Sequence, residues 1–406
     1  MDGIWKLKIN SFLTKAVVLN LYIFASGVIF SQKTTNVSGL LICLFGLFQM
    51  IIMRENPLIK IKDKTLNLPI LIHTLSLLIS FISHPYPEVF SEFHKLLLLF
   101  LFFYIVVVNI HDLKHVKNLI TIASIMMGAS GIYGLYQHYI LKHYRIEGFT
   151  FELSFGCLLA IFITFLLVYS LWGKINIKSR IALFTGIPFL GANLLFTLAR
   201  GAWFGLLGGI ITLTWIKNKK LLILMIIFIL ALYLFLPPVY IDRFKSSFDT
   251  KTNDSNLVRI ALWKGALSMY REHFITGIGL DRFEEEYHAH HQQKDLYIGN
   301  PCHAHNNLLH LMAEAGTLGG IAFIWLMVSV VIWLYKNYKQ IPDPNWRLFP
   351  LASLCGIISF NIQGLTTHTY GNGHTIRFFW FLIALNMIIA NLCKKDSNQN
   401  EQISSE

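Results

Sequence analysis

The sequence predicts an all-α, polytopic membrane protein with about twelve transmembrane helices and one large helical loop between the ninth and the tenth. Of its 406 residues, 54% are hydrophobic and only 14% are charged, and apolar stretches of spanning length recur along the chain. A water-soluble chain carries roughly 25% charged residues. Half that share leaves too little polar surface to cover a soluble body of this size. A cytosolic enzyme, a disordered chain and a disulfide-built secreted scaffold are therefore excluded.

The predicted spans follow from length and hydropathy, because a helix needs about 20 mostly apolar residues to cross a bilayer. Twelve stretches meet this condition: 14–31, 37–53, 68–84, 95–110, 117–137, 152–173, 180–198, 202–216, 220–237, 318–335, 348–364 and 376–393. The chain accordingly divides into four parts: nine helices in 1–237, an extramembrane loop in 238–317, three helices in 318–393, and a polar, disordered tail in 394–406.

The net charge of +12 could indicate a nucleic-acid partner, but its distribution indicates membrane topology instead. With the N-terminus in the cytoplasm, twenty Lys and Arg fall in cytoplasmic segments and six in the short loops of the opposite side. The eight in the long loop count little, because long loops cross the membrane regardless of charge. We therefore expect both termini in the cytoplasm, the loop 238–317 outside, and no nucleic-acid partner.

The long loop has helical spacing. Asp254 or Ser255 can cap a helix, and its apolar positions lie three and four residues apart. These positions are Leu257, Ile260, Trp263, Leu267 and Tyr270. A second helix is predicted around 282–287. Pro301 interrupts the chain, and a third helix is predicted from His303 into the tenth span. The loop would then be a small helical cap on the membrane, either functional or purely structural.

Arg200 stands where the seventh predicted span gives way to the eighth. An arginine between apolar helices is costly unless it finds a partner. It could snorkel to the interface, or it could clamp an anion, because a guanidinium offers phosphate a bidentate fork. Gly201 beside it would let a ligand approach the backbone closely.

Arg259 lies early on the predicted cap helix. It could be a second anion-binding group or a solvated surface residue. By composition alone, Arg243, Arg271 and Arg282 are equally good candidates.

His305 lies near a predicted helix start, where an imidazole could act as a base or a hydrogen-bond donor at neutral pH. The loop histidines could alternatively bind a metal, or simply be interfacial polar residues. They are His288, His290, His291, His303, His305 and His310. Metal binding is only weakly indicated, since no cysteine pair or ordered carboxylate set accompanies them. Glu314, four residues after His310, is the expected buried acid near it.

Familiar catalytic signatures are missing from the sequence. There is no P-loop, GxSxG, HExxH or GxGxxG pattern. The sequence therefore contains no nucleotide-binding motif that could drive ATP-dependent pumping. The five cysteines form no CxxC pair, so neither a disulfide framework nor a thiolate metal site is expected.

Three ordered motifs resemble the O-antigen ligase and polymerase superfamily. They are Arg200-Gly-Ala-Trp203; Arg259-Ile-Ala-Leu-Trp263 with Thr276-Gly-Ile-Gly-Leu-Asp-Arg-Phe283; and His303-Ala-His-Asn-Asn-Leu-Leu-His310 continuing to Gly319. The match covers residues 195–320. His305-Asn306 followed by Gly316 and Gly319 has the spacing of the ligase signature.

The resemblance implies glycosyl transfer without metal, cofactor or ATP. The donor would be undecaprenyl-pyrophosphate-linked O-antigen and the acceptor the lipid A–core, on the periplasmic face of a Gram-negative inner membrane. The family's essential arginines correspond to Arg200 and Arg259, and its histidine to His305. These three would be catalytic. Arg200, Arg259, Asn306 and His303 would bind substrate, while membrane lipid surrounds the polyprenyl tail. No oligomeric state is implied.

One departure from the family and three alternative functions remain. Some ligases carry an aspartate before the last helix, whereas residues 364–371 here contain no acid.

A polymerase that extends the lipid-linked glycan is the main alternative within the superfamily. A transporter is disfavoured because no internal repeat is evident and the spans are nearly free of charge. A non-enzymatic membrane scaffold is the third alternative.

Overall fold

The computed structural model describes residues 2–54, 61, 63–84, 89–292, 298–299 and 302–404. Within these residues every regular element is a helix. In chain order they are α1 Asp2–Phe30, α2 Gln32–Met53, α3 Asn67–Ser83, α4 Val89–Asn109, α5 Leu113–Tyr139, α6 Glu152–Trp172, α7 Ile177–Phe196, α8 Arg200–Lys217, α9 Lys220–Phe235, α10 Pro238–Lys245, α11 Asp254–Glu272, α12 Phe283–Glu286, the π-helical turn Tyr287–His291, α13 Asn307–Gln340, α14 Leu348–Gln363 and α15 Gly373–Ser404.

All twelve predicted spans fall on helices, namely α1 to α9 and α13 to α15. Length and composition qualify seven described helices to cross a membrane: α1, α2, α5, α6, α7, α13 and α15. Three more, α3, the 95–109 part of α4, and α14, are apolar but shorter. The predicted all-helical, multi-pass class is thus confirmed, and the count of twelve spans stays a prediction.

The helices divide into a buried centre and an apolar exterior. In α15 83% of the spanning window is buried and in α6 72%, against 17% in α7. Large apolar side chains stay exposed at the outside, for example Ile51 at 73% and Phe235 at 84%. A lipid solvent tolerates such a surface, because the hydrocarbon tails are as apolar as leucine.

Glycines let α8 lie close against α14. A Cβ at Gly205 would lie 2.6 Å from the Ser359 carbonyl oxygen, and one at Gly209 would lie 2.8 Å from that of Cys355. Small residues at such positions allow helix backbones to approach. A Cβ at Gly201 would likewise lie 2.6 Å from Thr366 Oγ1. The segment after α14 thus occupies the position of a Cβ at Gly201, and the expectation that Gly201 lets a ligand approach the backbone stays a prediction.

The first helix of the cap, α11, differs in detail from its prediction. Asn253 caps it, because its side chain accepts a hydrogen bond from the Asn256 amide, so neither Asp254 nor Ser255 has that role. The buried residues are small or flexible: Ala261, Leu262, Gly265, Ala266 and Met269. The predicted apolar face is instead only half-buried. Small side chains allow a closer approach to α13 and the π-helical turn than the larger predicted ones would.

The other two cap helices are shifted or interrupted. The helix expected at 282–287 is present as α12 and continues into the π-helical turn. The third begins at Asn307 rather than His303, because Asn306 caps it by accepting from the Leu309 amide. Pro301 lies outside the described residues. The predicted disordered tail 394–406 is helical up to Ser404, consistent with its helix-favouring Lys, Gln and Glu residues.

A kink at Gly316 interrupts α13, which was expected to run on without a break. Gly316 has φ +64° and ψ −159°, which helical residues do not adopt. The turn after α11 docks there: Ile278 N donates to Ala313 O at 2.9 Å, and Thr317 N donates to Phe274 O at 2.8 Å. A Cβ at Gly316 would collide with the Ile275 carbonyl. The kink thus separates the cap part of α13 from its apolar remainder.

Candidate active site

Arg200 is the first residue of α8, and it is almost fully buried, at 6% exposed. Its guanidinium is held from the cap by neutral oxygens. Nη1 donates to Ser246 Oγ at 3.0 Å, and Nη2 donates to Asn256 Oδ1 at 2.9 Å. Neutral acceptors orient a guanidinium without cancelling its charge. Arg200 therefore keeps its full positive charge for another partner.

Two further arginines grip the turn between α7 and α8. Arg145 Nε donates to Thr197 O at 3.1 Å, and Arg243 Nε donates to Leu198 O at 3.4 Å. Leu198 itself has a positive φ of 52°, which turns the chain sharply before Arg200. The α5–α6 loop and α10 thereby bring their guanidinium groups beside the start of α8.

Arg259 on α11 completes the group, which we call the arginine cluster: Arg145, Arg200, Arg243 and Arg259. The charges of the other three all act on Arg200. Burial, followed by the charges of Arg243 and Arg145, lowers the pKa of Arg259. Its Nε is buried without a hydrogen-bond partner among the described residues. Such an orphaned donor is rare in a folded protein and indicates a missing acceptor.

One carboxylate faces the arginine cluster within the described residues. Glu152, in the first turn of α6, places Oε1 2.9 Å from Arg145 Nη1. Three of the four guanidinium charges thus have no acid to pair with in that part of the chain. Guanidinium groups gathered in this way favour the binding of a multiply charged anion.

Beside the arginines lies a second group, the histidine cluster: His303, His305, His310 and His368. The ring centroids of His303 and His305 are 4.4 Å apart, and those of His310 and His368 are 4.2 Å apart. The rings of His303 and His368 lie 5.1 Å apart and join the two pairs. All four Nδ1 atoms are buried without a hydrogen-bond partner among the described residues.

Asparagines dock the segment 303–310 onto the loop before α15. Asn306 Nδ2 donates to Leu365 O at 3.0 Å. Asn307 Nδ2 donates to Thr369 Oγ1 at 2.8 Å, while its Oδ1 accepts from the Tyr370 amide at 3.0 Å. These contacts bring His368 against His303 and His310. In this arrangement Asn306 serves as a helix cap and a loop anchor.

The pKa values of the histidine cluster are lowered, which favours the neutral imidazole form. Burial, followed by the charges of His303 and Arg259, lowers the pKa of His305 to about 3. Burial also lowers the pKa values of His303 and His368. His305 has a positive φ of 50°, uncommon for a residue with a side chain. The lowered pKa favours the neutral form of its ring, which has one nitrogen able to accept a proton.

Glu314 lies beside His310, as its position four residues further along the helix predicted. Oε2 of Glu314 is 3.4 Å from Nε2 of His310, and both side chains are less than 10% exposed. The expectation of a buried acid near His310 is confirmed. It gives the far side of the histidine cluster a proton acceptor.

The two clusters meet. Arg259 acts electrostatically on both Arg200 and His305, so the three residues predicted to be catalytic lie in one region of the protein. A cavity of about 230 Å³ is lined by His303 and His368 of the histidine cluster and by Glu152, the ion-pair partner of Arg145, while the arginines themselves do not line it. His303, predicted to bind substrate, lines this cavity. Asn306, also predicted to bind substrate, lies three residues further along the same segment. An anion and a hydroxyl compound could therefore bind side by side.

Sequence reasoning missed three members of the site. Arg145 counted only toward topology, Glu152 was not considered, and the segment of His368 was searched only for an acid. The signals were weak: Arg145 and Glu152 flank a span start, and His368 stands in the polar run Thr366-Thr-His-Thr369 between two apolar helices. Arg243 was one of three equivalent candidates, and the structure distinguishes it from Arg271, which is exposed.

These features define a helical multi-pass membrane protein with a cationic, histidine-lined site. The family described as O-antigen ligase matches residues 185–324, which contain Arg200, Arg259 and His305. This match supports membership of the O-antigen ligase superfamily and confirms the resemblance that the motifs predicted. A protein of Haemophilus influenzae, described only as uncharacterized, is 24% identical over 408 residues, covering 93% of this chain and 98% of its own.

Proposed function

We propose that the protein is an O-antigen ligase. It transfers the glycan from undecaprenyl pyrophosphate to the lipid A–core on the periplasmic face of a Gram-negative inner membrane. The observation that carries the proposal is the arginine cluster. Among the described residues its Arg200, Arg243 and Arg259 have no acidic partner, and they lie with His305, whose pKa is lowered, within the region that matches the family. A diphosphate supplies the anion that this cluster lacks.

The arginines act on the leaving group. As the acceptor oxygen bonds to the anomeric carbon, the bond from that carbon to the phosphate oxygen breaks, and negative charge develops on the departing diphosphate. Arg200 and Arg259 stabilise this charge, and preorganised donors of this kind often supply the largest catalytic contribution. Ser246 and Asn256 hold the guanidinium of Arg200 in place beforehand, so little reorganisation is needed.

His305 acts on the acceptor. It takes the proton from the attacking hydroxyl, or orients that hydroxyl by accepting its hydrogen bond. A pKa of about 3 makes the free imidazole a weak base. The bound diphosphate opposes the charge of Arg259, so donor binding raises the basicity of His305. His303 and Asn306 hold the acceptor nearby, and His368 lies in the segment 364–371, the region before the last helix in which some ligases carry an aspartate.

The deciding experiment is ligation by purified protein in detergent, with defined lipid-linked donor and lipid A–core acceptor, EDTA and no ATP. Glycan appearing on the core supports the ligase. The proposed chemistry is contradicted if product forms only when ATP is added. It is also contradicted if product formation requires a catalytic metal. No product from protein that is folded and binds both lipids also contradicts it.

Gene deletion separates the ligase from the polymerase. Loss of a ligase leaves the core bare and accumulates polymer on the carrier. Loss of a polymerase leaves a single repeat attached to the core. The second outcome would assign the same site to chain extension.

A further inference from the structure

Three side chains outside the arginine and histidine clusters converge in the cap. Glu272 is the last residue of α11, Glu286 the last of α12, and His291 the last of the π-helical turn. One ligand atom from each lies within 4.8 Å of the other two. The end of α11 and the continuous segment of α12 and the π-helical turn therefore present two carboxylates and an imidazole to one point.

His291 points into this group without making a hydrogen bond there. Its side chain is only 7% exposed. Nε2 lies 3.6 Å from Glu272 Oε2 and 3.9 Å from Glu286 Oε1. These separations exceed hydrogen-bond length, and among the described residues buried Nε2 has no hydrogen-bond partner. A buried ring nitrogen normally has one, so this atom lacks a ligand.

The spacing suits a bound metal ion. Zinc binds imidazole nitrogen and carboxylate oxygen at about 2.0–2.2 Å, and a tetrahedral ion at that range holds its ligand atoms about 3.4 Å apart. The two separations from His291 Nε2, 3.6 and 3.9 Å, are wider than this, and the two carboxylates lie within 4.8 Å of each other, so all three side chains must move inward to bind an ion. Glu272 is half-exposed, which leaves an entry path and a place for water as the fourth ligand.

The surroundings also resemble those of metal sites. His290 Nδ1 lies 2.9 Å from Oε1 of Glu286 and so can orient that carboxylate, as outer partners of metal ligands do. The ring of Tyr287 lies against Gly265 of α11, and a Cβ at Gly265 would be 3.6 Å from that of His291. The π-helical turn is thus seated on α11. Turns of this kind occur frequently at functional sites.

We propose that Glu272, Glu286 and His291 form a binding site for a divalent transition-metal ion, with zinc as its representative. The ion joins the end of α11 to the π-helical turn and stabilises that junction, which lies away from Arg259 at the start of the helix. None of the three ligands belongs to the arginine or histidine cluster. The ion has a structural role and takes no part in glycosyl transfer.

The test uses the full-length protein in detergent, purified without a histidine tag, stripped with EDTA and freed of chelator. Zinc chloride is titrated by calorimetry, and bound zinc is measured by elemental analysis. We expect saturation at one zinc per chain and a rise in melting temperature. His291→Ala should lose this zinc. Glu272→Gln should weaken binding by about tenfold or more, since a neutral amide is a poorer ligand.

Glu285→Gln is the matched control, because Glu285 is an exposed acid on the same short helix and pairs with Arg282 instead. It should bind zinc as the unaltered protein does. Glu272→Gln guards against misfolding, since Glu272 is half-exposed at a helix end. Zinc binding that does not saturate near one per chain overturns the proposal. So does equal binding by Glu272→Gln, His291→Ala and the control.

Discussion

Arg145 Nη1 lies 2.9 Å from Glu152 Oε1. Through this ion pair, a carboxylate offsets part of the positive charge of the arginine cluster. Glu152 also lines the cavity beside the histidine cluster. Both side chains are about one-third exposed, so the pair is neither fully screened nor fully buried. It sets how strongly the cluster attracts an anion.

Replacing Glu152 with glutamine should strengthen donor binding. The change frees Arg145 while keeping the size of the side chain. We expect the KM for the lipid-linked donor to fall about two- to fivefold, matching the ~0.5–1 kcal/mol of a partly exposed ion pair. Steady-state kinetics at two salt concentrations measure this. Glu147→Gln, in the α5–α6 loop just before α6, is the control. An unchanged or higher KM for Glu152→Gln would show that Glu152 does not weaken donor binding.

Arg259 should be far more sensitive than an arginine elsewhere on its helix. Arg259→Ala removes a donor to the developing charge, so kcat/KM should fall about 10²- to 10³-fold. Arg259→Lys keeps the positive charge but loses the planar fork. Its activity should therefore lie between that of Arg259→Ala and that of the unaltered protein. Arg271→Ala, at an exposed position of α11, should retain activity at equal membrane abundance. Activity of Arg259→Ala within twofold of the unaltered protein would remove Arg259 from the mechanism.

The pH dependence should reflect a His305 that is already neutral. Its pKa of about 3 lies well below the ordinary 6.5, so the free protein gains no proton there between pH 5 and 8. We expect kcat/KM to show no acid limb with a midpoint near 6.5. His305→Gln should lose most activity at every pH in this range. A limb near 6.5 that disappears in His305→Gln would show that this imidazole is not buried as described.

The same shift predicts acid sensitivity of the fold. Because the unfolded chain binds the proton of His305 below about pH 6.5 and the folded chain binds it only near 3, stability falls as the pH decreases through this window. The melting temperature in detergent should therefore decline from pH 7 to pH 5. His305→Gln should show a shallower decline, and an equal slope in both proteins would count against the shifted pKa.

Gly316→Ala should destabilise the protein. A side chain at φ +64° and ψ −159° is strained, at a cost of about 1–3 kcal/mol, and its Cβ would also collide with Ile275 O. We expect a lower melting temperature and displacement of the cap from α13. Gly128→Ala is the control, since its Cβ would meet nothing within 4 Å. A melting temperature no lower than that of the control would mean that the kink tolerates a side chain.

Hydropathy predicted the helices well, because burial in lipid leaves a long apolar record in the sequence. It failed where packing uses small residues. The buried face of α11 contains Ala261 and Gly265, which carry little hydrophobic weight, so the larger Leu257 and Trp263 drew the prediction to the wrong side. The kink at Gly316 was missed because it depends on a contact with the distant residue Ile275.

The candidate site was predicted only where motifs mark it. Arg200, Arg259 and His305 each lie in a recognisable motif, and the structure brings them to one region. Arg145 and His368 come from segments far away in sequence, before α6 and before α15. Helical periodicity reports which face of a helix is apolar and carries no information about which distant loops converge. Only the folded chain reveals these two.

The side-chain amide of Asn307 makes two hydrogen bonds, and these limit how related sequences can diverge. It joins the start of α13 to Thr369 and Tyr370 at once, so an insertion or deletion within 364–370 would displace the start of α13 and with it His305, the proposed catalytic residue. If the protein is the proposed ligase, variation in the accepted sugars is therefore expected at cavity residues outside this junction, such as Phe151.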